Sequence, residues 1–232
     1  LLVQEDRQTG STVLLEGIDY KVDLRPVVNG LGLDGRLTIE SIRVLEATAI
    51  GPSLNNVSID HRVTLSSESD ELRIDRITLS TGPIGVTISG SVALSQDAPR
   101  LDLKIEETTA ALTYSESGTE VSGNVDIDIA VTGPYDPASI PPRLPSVKGR
   151  IIAGDFRIGA QGIRQPIQNG KLSITLNSER IVLKEFSASI GCSDLHLSGT
   201  LVNVDGFITD RAESRPLFRF NFKSNLLDLD QI

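Results

Sequence analysis

Residues 88–92 read Ile88-Ser89-Gly90-Ser91-Val92, with an apolar residue at each end and a glycine at the centre. The same pattern of apolar, polar, glycine, polar and apolar residues is centred on four other glycines: Gly35, Gly123, Gly149 and Gly199. Because side chains alternate between the two faces of a strand, each glycine shares a face with the apolar residues two positions away. A glycine there weakens a strand unless its missing side chain permits a sharp bend, a bulge or a close backbone approach. We therefore expect these five structural glycines to curl a sheet.

The glycine pattern belongs to a longer internal repeat. When residues 71–94 are laid over residues 180–203 without a gap, apolar positions coincide along the segment, and four residues are identical. Each copy then reaches a proline, which an alternating strand follows at residues 100–105 and 217–222. Such repeats predict an elongated or layered sheet, since each copy is too thin to close a core alone. The four identities are Ser80 with Ser189, Gly82 with Gly191, Ser89 with Ser198, and Gly90 with Gly199.

Composition and periodicity favour an all-β protein. The 232 residues are 39% hydrophobic but only 4% aromatic, with no tryptophan or methionine, a mix that suits pleated sheets. Almost every segment alternates with period two, and helical periodicity is hard to find. We expect an elongated, curled, mostly antiparallel sheet that forms a groove, with a closed β-sandwich as the alternative.

One proline-rich stretch is the plausible internal boundary. Residues 133–145 hold five prolines, which predicts a break in regular structure. This divides the chain into a first β-repeat region at 1–132, a connector at 133–145 and a second β-repeat region at 146–232. Because the glycine pattern continues on both sides, we expect a stiff connector within one continuous architecture.

Charge and cysteine content exclude several function classes. The formal net charge is −9 and the pI is near 4.8, which argues against binding nucleic acid through its phosphates. The single cysteine, Cys192, rules out an internal disulfide and a cysteine metal cage. No apolar run approaches the roughly 20 residues of a spanning helix, and no signal peptide is evident. We expect a soluble portion of a longer protein whose anchoring segment lies outside this sequence.

The motifs that suggest chemistry are weak. Residues 30–35 match the dinucleotide fingerprint G-x-G-x-x-G, but a strand follows instead of the required helix, so a hairpin turn is the better interpretation. Ser193, Asp194 and His196 have the residue types of a catalytic triad, yet neighbours on one strand cannot converge. His196 alternates with apolar residues and is expected to face solvent.

The remaining polar candidates have plainer explanations too. His61 shares a face with apolar residues, which indicates a hydrogen-bonded core or groove-edge histidine. The pairs Asp126/Asp128 and Asp228/Asp230 lack the six to eight oxygens of a calcium loop and are expected to be solvated charges. With few aromatic residues for sugar platforms, a polysaccharide enzyme is also disfavoured. We predict no enzyme activity, no metal and no cofactor.

The apolar face is then the informative feature. Summed over ten or more strands, it would greatly exceed the few hundred square ångströms that a soluble monomer exposes. It must close against a second sheet, or curl into a trough that hydrocarbon fills. Inward glycines favour the trough.

The second half of the chain resembles the C-terminal part of the AsmA-like family of bacterial envelope proteins. The likeness lies in residues 181–191, 195–201 and 215–220 and in the ending Ser224-Asn225-Leu226-Leu227-Asp228-Leu229-Asp230. In that family a Leu-x-Gly-x-Leu fragment precedes a strand and a final Ser-x-x-Leu-Asp-Leu-Asp, as seen here from Leu197 onward. Residues 72–105 resemble the same unit less closely, so the likeness covers about two thirds of the chain.

The resemblance implies a lipid carrier. AsmA-like proteins are similar to bridge-type carriers, in which an inner-membrane helix anchors a periplasmic β groove that is thought to conduct phospholipids toward the outer membrane. We therefore expect a non-enzymatic periplasmic module, the soluble part of an inner-membrane-anchored bacterial protein, that binds or conducts phospholipid acyl chains and contributes to outer-membrane lipid homeostasis and assembly. Other envelope proteins are possible partners, and a structural or protein-interaction β scaffold of the envelope is the alternative. The expected groove positions are Val125, Ile127, Ile129, Ile181, Leu183, Leu195, Leu197, Phe218, Phe220 and Phe222.

Overall fold

The chain is built from strands in the computed structural model, which describes residues 2–6, 11–45, 50–81, 84–94, 98–107, 111–116, 119–136, 139, 143–159, 165–204, 215–226 and 228. These described residues form fourteen strands: β1 (Leu2–Asp6), β2 (Ser11–Val27), β3 (Gly30–Leu45), β4 (Ile50–Ser66), β5 (Glu71–Thr81), β6 (Ile84–Ala93), β7 (Arg100–Glu107), β8 (Ala111–Glu116), β9 (Thr119–Pro134), β10 (Ser146–Gly159), β11 (Ile167–Asn177), β12 (Arg180–Ile190), β13 (Ser193–Val202) and β14 (Leu217–Lys223). The expectation of an all-β fold is confirmed.

All fourteen strands belong to one antiparallel sheet, and nearly all of them are arranged in sequence order. The exception is at β9, whose residues 128–134 pair with β7 while residues 119–124 pair with β8. The strands at the two ends, β1 and β14, do not pair with each other, so the sheet is open. This is the elongated, curled sheet of repeated hairpins that the sequence predicts.

No second layer covers the sheet within the described part of the chain. Extensive contacts join only strands that are hydrogen-bonded neighbours, so the sheet does not fold back on itself as two packed layers. Among the residues whose side chains are described, the buried apolar ones are few: Ile39, Val57, Ile74, Ala188 and Ile190. The described residues therefore do not form the closed sandwich.

The internal repeat is visible in the strand register. In the first copy Ile74 pairs with Gly90 and Ile77 with Ile88, across a bulge in β5. In the second copy Leu183 pairs with Gly199 and Phe186 with Leu197, across a bulge at the same place in β12. Strands β5–β6–β7 and β12–β13–β14 are thus two copies of one bent unit.

The predicted glycines lie where neighbouring strands come unusually close. A methyl group on Gly90 or Gly149 would run into a backbone carbonyl of the adjacent strand, that of Asp102 or Asp128. Gly35, Gly123 and Gly199 are equally confined, by Lys21 and His61, by Phe156 and by Arg219 respectively. Gly90 (φ 129°) and Gly123 (φ 152°) also adopt backbone angles that other residues rarely reach. The structure thus uses the missing side chains for close backbone approach.

Two local expectations need correction. The turn between β2 and β3 is Val28-Asn29, with Asn29 at φ 59°, and the glycine-rich residues 30–35 lie inside β3 and not in the turn. Regular structure also continues into the proline-rich stretch, because Gly133 and Pro134 still pair with β7. Proline is tolerated there because β10 pairs with β9 only as far as Thr132, which leaves one side of Pro134 as a strand edge. The two strands that flank residues 135–145, β9 and β10, pair side by side in the sheet.

Candidate functional site

A continuous row of apolar residues crosses the sheet at right angles to the strands. Each residue of this central row is the register partner of the next, from β2 to β14, and His61 is its one polar member. Twelve strands spaced about 4.8 Å apart make the row roughly 50 Å long. The row consists of Val22, Gly35, His61, Ile77, Ile88, Ile105, Ile129, Gly149, Leu176, Ile181, Leu201 and Phe218.

Further apolar residues flank the central row on the same face. One flanking row covers the first eight of these strands: Leu24, Leu33, Val63, Ile74, Gly90, Leu103, Val131 and Val147. On the other side, the second half of the sheet carries Ile127, Ile151, Ile174, Leu183, Gly199 and Phe220 in register. We call the face that bears these rows the groove face. It is several side chains wide and offers hydrocarbon contacts along its whole length.

The ten predicted positions all lie on the groove face. Ile129, Ile181 and Phe218 belong to the central row, and Ile127, Leu183 and Phe220 lie in the flanking row. The other four are in register with further apolar residues: Val125 with Ala153, Leu195 with Ala188, and Leu197 with both Phe186 and Phe222. Their lipid contact stays a prediction, whereas their common face is a feature of the structure.

Sequence reasoning missed the first half of the groove face. Val22, Ile77, Ile88 and Ile105 continue the central row through β2, β5, β6 and β7. The period-two alternation of these strands was a sufficient signal for their face. That alternation contains no information on the partner strand, so it could not place these residues in one continuous row.

The opposite face is polar and is crossed by ion pairs. Arg36 Nε lies 2.5 Å from Asp60, and Arg62 Nε donates a 2.9 Å hydrogen bond to Asp34. That hydrogen bond and charge hold the pKa of Asp34 below its usual 3.8. Asp126 pairs with Arg150 at 3.3 Å, and both are about half exposed, so the predicted solvated role is confirmed for Asp126. Asp230 lies outside the described residues.

Two polar side chains interrupt the groove face. His61 shares a hydrogen bond of 2.8 Å between Nε2 and Tyr20 Oη, and its ring lies over Gly35. Its Nδ1 is buried and has no hydrogen-bond partner among the described residues. At the seam between β7 and β8, a carboxylate oxygen of Glu107 accepts the Ile127 N–H at 2.5 Å. The histidine is thus hydrogen-bonded on the apolar face, as predicted.

The groove face is open at β14, as it also is at β2, where Leu24 is 62% exposed. Phe218, Phe220 and Phe222 are 51%, 59% and 50% exposed, and the rings of Phe218 and Phe220 stack 5.5 Å apart. A concavity of about 520 Å³ beside this strand is lined mainly by residues of the opposite face, Thr200, Val202, Arg219 and Asn221, and is therefore not part of the groove face. Large exposed rings clustered on one strand are unusual for a solvated surface and are typical of interaction sites in other proteins.

The C-terminal segment is fastened to the start of β13. Asp194 accepts backbone N–H groups from Asn225 and Leu226, each at 2.9 Å, and Ser193 accepts the N–H of Asp228. The hydrogen bond from Leu226 is the main cause of a lowered pKa for Asp194. The residues of the would-be triad therefore have a structural use, and His196 faces solvent as expected.

Within the described residues there is no group of three or more His, Cys, Asp and Glu side chains that could hold a metal ion. The same residues contain no helix with the length and apolar character needed to cross a membrane. Cys192 is exposed in the turn between β12 and β13. In comparisons with known proteins, no family model, no curated protein and no solved structure matches the chain.

Proposed function

We propose that the protein binds hydrocarbon chains of phospholipids along its groove face. The observation that carries this proposal is the central row, which is apolar over twelve strands apart from His61 and has no second layer packed on it in the described structure. An apolar surface of this size is stable in water only when a ligand or a partner covers it.

Non-directional contacts are sufficient for this task. Each buried methylene contributes about 0.8 kcal/mol, so an acyl chain of ordinary length is held without a dedicated headgroup pocket. The groove face has the required character, with aliphatic side chains throughout and phenyl rings at β14. A row that runs across the strands also gives a chain a path along the sheet.

The cellular setting belongs to the same proposal. The AsmA-like resemblance supports a periplasmic, inner-membrane-anchored protein that assists outer-membrane lipid homeostasis. Conduction of lipid needs a path that is continuous from end to end. The row from Val22 to Phe218 supports conduction over storage, because no described strand between β2 and β14 interrupts it with a charged residue.

Purification without detergent, followed by native mass spectrometry and lipid extraction, tests the proposal. We expect co-purified phospholipid, and we expect Phe220→Asp to reduce its amount several-fold while the far-ultraviolet circular dichroism stays that of a β protein. The matched control is Asn221→Asp, an equal change of charge on the polar face of the same strand. A lipid-free wild-type protein, or equal losses in both variants, would refute the proposal.

A scaffold role for the envelope is the second candidate. The observation that favours it is the outer edge of β14, which pairs with no strand among the described residues, since free strand edges recruit other chains. The two functions predict different behaviour after delipidation: a scaffold keeps its thermal midpoint, whereas a lipid carrier with an emptied groove unfolds at a lower temperature.

A further inference from the structure

Within the described residues, the outer edge of β14 has no partner strand, unlike the corresponding edge in the first copy of the repeat. Gly90 pairs with Leu103 and its counterpart Gly199 pairs with Phe220, so β14 corresponds to β7. The other edge of β7 is occupied by β9, with Leu103 opposite Val131. No strand in the described part of the chain occupies the corresponding edge of β14.

The exposed side chains of β14 indicate what kind of strand would pair with its outer edge. On the groove face its three phenylalanines are half exposed or more, whereas most apolar residues of the inner strands are covered further. A neighbouring strand with apolar residues in register would cover these rings, as Val131 and Ile129 cover β7. The apolar rows would then continue across the new strand.

The charges on the polar face of β14 give a second indication of the kind of strand that would pair with it. Some cations of this face pair with an acid on the adjacent strand, as Arg36 does with Asp60 and Arg150 with Asp126. Arg219 and Lys223 of β14 make no ion pair with any described residue. An added strand with an acidic residue opposite Lys223 would supply a counter-charge there.

We propose that the outer edge of β14 receives an antiparallel strand from a partner protein, with apolar residues at alternate positions and acidic residues between them. Strand β9 shows the chemistry required, because Asp126 and Asp128 alternate with Val125, Ile127 and Ile129. Transferred to β14, its register places Val131 opposite Phe220 and Asp128 opposite Lys223. Backbone hydrogen bonds supply the affinity of such strand addition, and alternate side chains supply the specificity.

A synthetic peptide with the sequence of residues 125–133 is the probe. Fluorescence anisotropy with the delipidated full chain is expected to show saturable binding, independently of any lipid in the groove. Lys223→Glu is expected to weaken binding at least five-fold, and a peptide with Asp128→Lys is expected to recover the loss. The thermal midpoints of wild type and variant serve as the control for folding.

Backbone methylation separates edge pairing from adsorption in the groove. Two peptides are compared, one N-methylated at the odd and one at the even positions; an antiparallel partner tolerates only one of them, because alternate N–H groups face the edge. Equal binding by both peptides would overturn the proposal, as would no binding at all. A stable dimer formed through β14 that excludes the peptide would also overturn it, since the edge would then belong to a second copy.

Discussion

At the residue scale, the curl depends on glycines that have no room for a side chain. Gly90 lies against the backbone of Asp102 and Leu103 and has φ 129°. We expect Gly90→Ala to lower the free energy of unfolding by more than about 1 kcal/mol, because alanine is strained at this φ and would also displace β7. Gly154→Ala is the matched control, because nothing lies within 4 Å of its added methyl group. Urea denaturation of both variants checks this, and equal midpoints would contradict the role of Gly90.

Asp194 makes attachment of the C-terminal segment dependent on pH. Its pKa lies below the usual 3.8 because the N–H groups of Leu226 and Asn225 bind the ionised form. The attachment is therefore complete above about pH 4 and is lost as the pH falls through the lowered pKa. We expect the amide shifts of Asn225 and Leu226 to titrate with a midpoint below 3.8 in an NMR experiment. Asp194→Asn is expected to abolish the transition, and a midpoint above 3.8 would contradict the assignment.

At the element scale, β9 is continuous across a seam in its neighbours. Strands β7 and β8 share one edge of β9, and Glu107 binds the N–H of Ile127 between them. We expect Glu107→Ala to lower the free energy of unfolding by about 1.5 kcal/mol, because the partly buried N–H of Ile127 loses a charged acceptor. The same substitution is expected to accelerate hydrogen exchange at the Ile127 amide. Glu106→Ala is the control, since its ion pair with Lys104 is exposed to solvent and contributes little. Equal effects of the two substitutions would contradict the role of Glu107 at the seam.

Sequence periodicity predicted which face of the sheet each side chain occupies, but it did not predict which residues are partners on neighbouring strands. Alternation placed all ten predicted positions on the groove face, because the period of a strand determines which side chains share a side. Register, by contrast, depends on bulges such as those in β5 and β12, which follow from contacts between strands. The hydrogen bond between Tyr20 and His61 joins β2 to β4 across Gly35, so no local pattern could reveal it. Pro134 shows the limit of local sequence rules. Those rules predict that the strand ends before the proline, whereas β9 includes Pro134 as its last residue.

At the scale of the whole molecule, the fold is a single sheet of hydrogen-bonded neighbouring strands, and one face of that sheet is apolar. Its strands contact the adjacent strands of the sheet and have no second layer on them in the described structure. Ladder hydrogen bonds, cross-strand pairs and the ion pairs of the polar face therefore hold the sheet together. The groove face stabilises the fold fully only when a ligand covers it. Bound lipid therefore raises the stability of the folded protein by mass action. We expect added phospholipid to raise the thermal midpoint of delipidated protein, as measured by differential scanning fluorimetry with an intrinsic tyrosine signal.

Photocrosslinking with a phospholipid that carries a diazirine on its acyl chain tests the groove most directly. After illumination and proteolysis, mass spectrometry locates the adducts residue by residue. We expect adducts on central-row residues such as Ile105, Ile129, Leu176 and Ile181, spread over several strands, and few on polar-face residues such as Asp128 and Arg150. Adducts divided equally between the two faces, or confined to one end of the sheet, would contradict a lipid groove along the central row.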